Sequence, residues 1–229
     1  MNSSDQYESI VSSLKDKSAH KLQVLKATAK QFAILKEEAS KLAKELCEEV
    51  DCVEGVDVKF KETGMFQAEF KFGEDLIVFF MHNDVFDFEK SHRIWKTSYV
   101  AENRNRAYCG MITMFNFLNN SFEMNRTEDV GYLIGRVFVN SEAHYFVEGK
   151  KQLGFLYNDF GKESLSIVTL RKIIMSAIQY CQEFDLLTPP FDTMGQVQVG
   201  QIIDLSNKMN WKTGKRLGFK FVSDDSSDE

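Results

Sequence analysis

The chain has 229 residues, a net charge of −6 and a pI near 5.4, with 43% hydrophobic and 27% charged residues. This composition excludes a disordered or fibrous chain, and the length suffices for one large domain or a domain with an appendage. The acidic balance supplies no global field for nucleic acid, so nucleic-acid binding would require a local basic face. Twenty Phe promise a large core. The cysteines Cys47, Cys52, Cys109 and Cys181 form no CxxC and follow no secretory signal, which predicts reduced thiols in a cytoplasmic protein. No apolar run reaches the length of a membrane span, so no membrane partner is expected.

Residues 4–50 contain neither Gly nor Pro and are rich in Ala, Lys, Glu and Leu, which predicts a long N-terminal helix. A heptad seam runs through Leu25, Phe32, Leu35, Ala39, Leu42 and Leu46, while Ile10, Leu14 and Leu22 do not keep that frame. One helix with a stutter near 18–21, or two helices meeting there, accounts for the break. The seam is read as a coiled-coil contact through Leu25, Phe32, Leu35, Leu42 and Leu46, or as the inward face of a helix packed on its own sheet.

The stretch 56–88 alternates in period two, as half-buried antiparallel strands do. Val58 and Phe60 alternate with Asp57, Lys59 and Lys61; Phe66, Ala68, Phe70 and Phe72 alternate with Gln67, Glu69 and Lys71. A loop at 62–64 ending in Gly predicts Phe60 opposite Phe66 and Asp57 opposite Glu69, with Lys71 diagonal. A second hairpin is expected from 76–80 and 85–88. An Asp followed on the next strand by Glu-x-Lys is similar to the arrangement of PD-(D/E)xK nucleases. There two carboxylates hold Mg²⁺ or Mn²⁺ and the lysine positions water. Asp57, Glu69 and Lys71 are the corresponding candidates, with Asp57 and Glu69 the metal ligands. Outside this alternative no metal or cofactor is expected.

The segment 90–106 interleaves Arg93, Arg104 and Arg106 with Trp95 and Tyr99, either a phosphate-gripping surface or a loop anchored by its aromatics. Residues 111–118 are apolar enough for a buried strand or helix. In the block 131–157, Arg136 lies in an otherwise apolar strand and is expected to pair with Glu148 or, alternatively, to bind an anion. A third strand is expected at 152–157. Helices are expected at 165–184 and 199–209. The segment 212–220 carries Lys215 and Arg216, a weak anion-binding turn, and 223–229 reads as a disordered acidic tail.

The resulting expectation is an α+β fold: a helical segment over 1–50, a domain over 51–222 with an antiparallel, meander-rich sheet covered by helices, and the tail. The expected function is a non-enzymatic cytoplasmic binding or adaptor protein that self-associates or takes a protein partner through its N-terminal helix. The metal-dependent nuclease is one alternative. Nucleic-acid or nucleotide binding through 90–106 and 212–220 is another.

Overall fold

The computed structural model describes residues 3–51, 53–183 and 199–200. The Gly- and Pro-free N-terminus forms one continuous helical rod. It consists of α1 (Ser3–Ser13), a π-helical turn (Leu14–Ser18) and α2 (Ala19–Val50). The irregularity expected near 18 is therefore a widened turn inside one helix, with helical backbone angles at both Ser13 and Ala19.

Six strands follow: β1 (Val58–Glu62), β2 (Gln67–Phe72), β3 (Asp75–Met81), β4 (Cys109–Leu118), β5 (Tyr132–Asn140) and β6 (Tyr145–Gly149). They form one antiparallel meander in sequence order, so the fold is α+β. Short helices lie at α3 (Ser98–Glu102), α4 (Asn119–Glu123) and α5 (Gln152–Leu156), and α6 (Ile167–Gln182) closes the described fold.

Alternation gives the sheet two distinct faces. On the inner face Val58, Phe70, Phe79, Ile112, Val137 and Val147 join one core with Phe32, Leu35, Ala39 and Leu42 of α2 and Leu170, Ile173 and Ile174 of α6. The two helices are also tied by charge. Arg171 donates to Glu38 at 2.9 Å and to Glu45, which compensates the buried Glu38 carboxylate. On the outer face Met111, Phe138 and Phe146 carry a second cluster with Ile94, Val100 and Phe160. The opposite end of that face carries Lys59, Lys61, Glu69 and Lys71.

Three expectations are corrected. Phe60 pairs with Phe70, not Phe66, and Val58 pairs with Phe72. The tight reversal lies instead between β2 and β3, where Gly73 at φ 57° leaves Phe72 opposite Asp75. The β1–β2 connection is the looser one, with Met65 77% exposed. Because the shift is even, every side chain keeps its expected face. Next, β3 pairs with β4 rather than with 85–88, which contributes only the Phe86–Cys109 bridge. The run 152–157 is helix α5 up to Leu156, not a strand. The helix that shares the inner face with α6 is α2, as the inward-facing reading of the seam expects; the expected helix at 199–209 lies outside the described residues except 199–200. The apolar run 111–118 is the central strand β4.

The seat of α2 on the sheet is a close approach. A Cβ built on Gly110 of β4 would lie 2.2 Å from Thr28 Oγ1. Thr28 itself is fully buried and donates to Val24 O at 2.9 Å within the helix. Any side chain at 110 must displace the buried Thr28 side chain. Gly110→Ala is expected to destabilise the fold by about 1–3 kcal/mol, measured as a lower urea midpoint. An unchanged midpoint would contradict this packing.

Candidate functional site

Asp57 precedes β1 and faces Gly73, whose N–H donates to its carbonyl at 3.0 Å. Glu69 lies opposite Lys61, and the Lys59–Lys71 pair stands between them. Asp57 and Glu69 are thus not cross-strand neighbours, which corrects the expected register. The lysines pair with Asp57 and with Glu123 of α4, and Glu69 is held by an amide instead. Lys59 Nζ donates to Asp57 Oδ2 at 2.7 Å, and Lys71 Nζ lies 3.4 Å from the same oxygen. Lys71 also donates to Glu123 Oε1 of α4 at 2.9 Å, while Glu69 accepts from Gln67 at 3.2 Å. Among the described residues no group of three or more His, Cys, Asp or Glu is placed to hold a metal ion. These side chains line an open cleft of about 760 Å³, whose further walls include Lys44 and Cys47 of α2 and Phe122 of α4.

The electrostatics follow from the contacts. The hydrogen bond from Lys59, reinforced by Lys71, holds the Asp57 carboxyl below the usual carboxylate range against the opposing effect of desolvation. Glu123 is lowered first by the Asn119 side chain and then by Lys71. For a depressed carboxyl the stabilisation is complete above the unfolded value, roughly pH 4. It is lost as pH falls through the folded value. With 36% of the Asp57 side chain exposed, solvent screening limits its share to less than about 1 kcal/mol.

The basic segment is tied down by the fold. Arg106 donates to Glu142 at 3.1 Å, to Glu102 at 2.9 Å and to Tyr99 O at 3.0 Å, and its guanidinium lies 4.3 Å from the Tyr99 ring centre. Tyr99 donates to Glu142 at 2.7 Å and stacks on His144. Arg93 donates to Asn158 at 2.6 Å, and Trp95 Nε1 to Phe88 O at 3.2 Å. Arg104 is exposed on a 3₁₀ turn at Arg104–Ala107. The aromatics therefore anchor the segment, and Arg93 and Arg106 spend donors on protein acceptors. Arg136 pairs with Glu148 at 2.5 Å in the expected cross-strand position, and His92 Nε2 lies 3.2 Å from the other Glu148 oxygen. Lys215 and Arg216, with the rest of 212–220 and the tail 223–229, lie outside the described residues.

The helical seam is filled from within the chain. Phe32, Leu35 and Leu42 are buried in the inner core, and Leu25 and Leu46 pack against its edge. The apolar side chains left outside are the ones that do not keep the seam's frame. Ile10, Leu14 and Leu22 are 58%, 60% and 52% exposed, joined by Tyr7 at 70%. Tyr7, Ile10 and Leu14 follow the i, i+3, i+7 spacing of one helical face. The π-helical turn needs an extra residue, which brings Leu22 back toward the side of Leu14. Every residue from 4 to 10 is exposed, and further along the rod Lys17 and Lys21 lie over Tyr108 and His20 Nε2 lies 2.9 Å from Asn105 O. The broken frame was the sequence signal for this surface; Tyr7 was missed because its residue type marks no face.

The cleft gives a direct test of the charge network. Lys59→Met should raise the Asp57 titration and leave Glu123 nearly unchanged, whereas Lys71→Met should raise both, as followed by carboxyl NMR. Equal movement of Glu123 in the two variants would contradict the assignment. Comparison with protein-family models, with curated proteins and with solved structures finds no match for this chain.

Proposed function

We propose that this chain is a non-enzymatic protein-binding module whose contact surface is the projecting start of its N-terminal helix. The observation that carries the reading is the exposed stripe of Tyr7, Ile10 and Leu14 on a helix whose later turns are locked into the core. An amphipathic face that is apolar and open toward solvent is a binding surface by the logic that buries amphipathic faces elsewhere. The rod supports this role mechanically, because α1 is continuous with α2 and needs no separate folding event to present its stripe. Charged side chains around the stripe (Asp5, Glu8, Lys15) keep the free surface soluble and give orientation to a partner. We place the module in a reducing, cytoplasmic setting. In support, Cys109 and Cys181 are unpaired and buried, with desolvation pushing Cys181 up to about 12 and Cys109 in the same direction.

The reading separates two kinds of substitution on one helix. Ile10→Glu with Leu14→Glu should abolish assemblies larger than the 26.4 kDa chain, in cell extract and as purified protein, with the melting temperature unchanged. Leu35→Glu should instead unfold the chain, because it places a carboxylate in the core. Size-exclusion chromatography with light scattering, beside thermal melts, reads both. A wild-type chain that runs only at monomer mass in extract and in purified form would contradict the proposal.

A further inference from the structure

We propose that the partner of α1 is the α1 of a second copy of this chain, lying antiparallel to it across a two-fold axis near Val11. The inference rests on the reading of α1 as a contact surface and adds the identity and direction of the occupant.

Two features beyond the exposed stripe select this arrangement. The first is the charge order along the rod. Residues 3–13 carry Asp5 and Glu8 and no basic residue, whereas 14–22 carry Lys15, Lys17 and Lys21 against the single acid Asp16. An antiparallel partner lays the acidic half of one rod beside the basic half of the other. A parallel partner lays like on like.

The second feature is the position of Glu8 and Lys15. They are seven residues apart, two helical turns, and so share one flank of the Tyr7–Ile10–Leu14 stripe. In a two-fold pair, if residue i meets residue j, then j meets i. The antiparallel arrangement that sets Tyr7 against the second copy's Leu14 and brings Ile10 and Val11 together at the axis leaves Glu8 two residues, about 3 Å of helical rise, from the position facing Lys15, an offset both long side chains span, twice. Both side chains are exposed and carry no hydrogen bond or ion pair among the described residues. By contrast, Lys17 and Lys21 lie over Tyr108 of their own chain. The charges at the stripe's flank are thus the unengaged ones. The paired surface spans only a few turns, which places the interface at the small end and predicts a dimer that dissociates on dilution.

The test is sedimentation of the full chain over a wide concentration range at low salt, with reducing agent present. The wild type should shift from monomer to dimer. Glu8→Lys alone and Lys15→Glu alone should each weaken the dimer roughly tenfold by replacing both cross-pairs with like charges. The double variant Glu8→Lys/Lys15→Glu should restore the wild-type constant, because the exchanged charges meet again only if the helices are antiparallel in this register. Ile10→Glu should remove the dimer with the melting temperature kept. A dimer lost in Ile10→Glu but not restored by the charge exchange would overturn the antiparallel pairing, and so would a dimer indifferent to all these changes. A chain that is monomeric throughout, yet loses a larger assembly in extract through Ile10→Glu, would overturn the second copy as occupant. The contact-surface reading would then stand. Absence of both assemblies would remove the two together.

Discussion

The contact between α2 and the inner face of the sheet is the interaction on which the rest of the structure depends. Phe32, Leu35, Ala39 and Leu42 enter the same core as the strands and α6. Burial of each large apolar side chain contributes on the order of 1.5–3 kcal/mol. The approach is close because Gly110 leaves no Cβ beneath Thr28. It also fixes the direction of the helix, and a continuous helix transmits that direction to its N-terminus. Residues 4–10, all exposed, are consequently aimed by the packing of residues some turns away. The π-helical turn at Leu14–Ser18 has a specific consequence here. It rotates the apolar positions before it out of phase with those after it, so the outer stripe is not a frayed continuation of the inner one.

The two faces of the sheet divide the remaining work. The inner face is closed by α2 and α6, with Arg171 holding the helices together through Glu38 and Glu45. On the outer face, the 86–107 segment covers one end with aromatics, and Arg106, Tyr99 and Glu142 lock it to the β5–β6 turn. The other end is a lattice of lysines and carboxylates over an open cleft, where each carboxylate is satisfied by a neighbouring lysine or amide. Exposed pairs of this kind contribute little to stability, but they keep an edge strand short, charged and unattractive to further strands.

Much of this was legible in the sequence, for identifiable reasons. The absence of Gly and Pro in 4–50 and the period-two alternation in 56–72 are local signals, and both elements formed as read. The Arg136–Glu148 pair followed from one charge in an apolar strand. Register was misread because two glycine turns compete: Gly64 suits a loop by residue type, yet Gly73 is the one that adopts positive φ and sets the pairing. The run 152–157 has the apolar content of a strand, but residue type does not reveal that β6 turns directly into a helical segment packed on α6. The heptad seam was visible, while its occupant was not, since a coiled-coil face and a core-facing helix present the same pattern. What distinguished the two ends of the helix was the break in frame, and its meaning emerges only when the sheet is seen to fill one side.

The central claim is that one rigid helix is held by the core along α2 and completed by association along α1. Amide hydrogen exchange along residues 3–50, measured at several protein concentrations, tests it most directly. The account predicts strong, concentration-independent protection at Phe32, Leu35 and Leu42, together with protection at Tyr7 to Leu14 that rises with protein concentration. Protection of Tyr7 to Leu14 that is the same at every concentration, or exchange through Phe32 to Leu42 as fast as through α1, would contradict it.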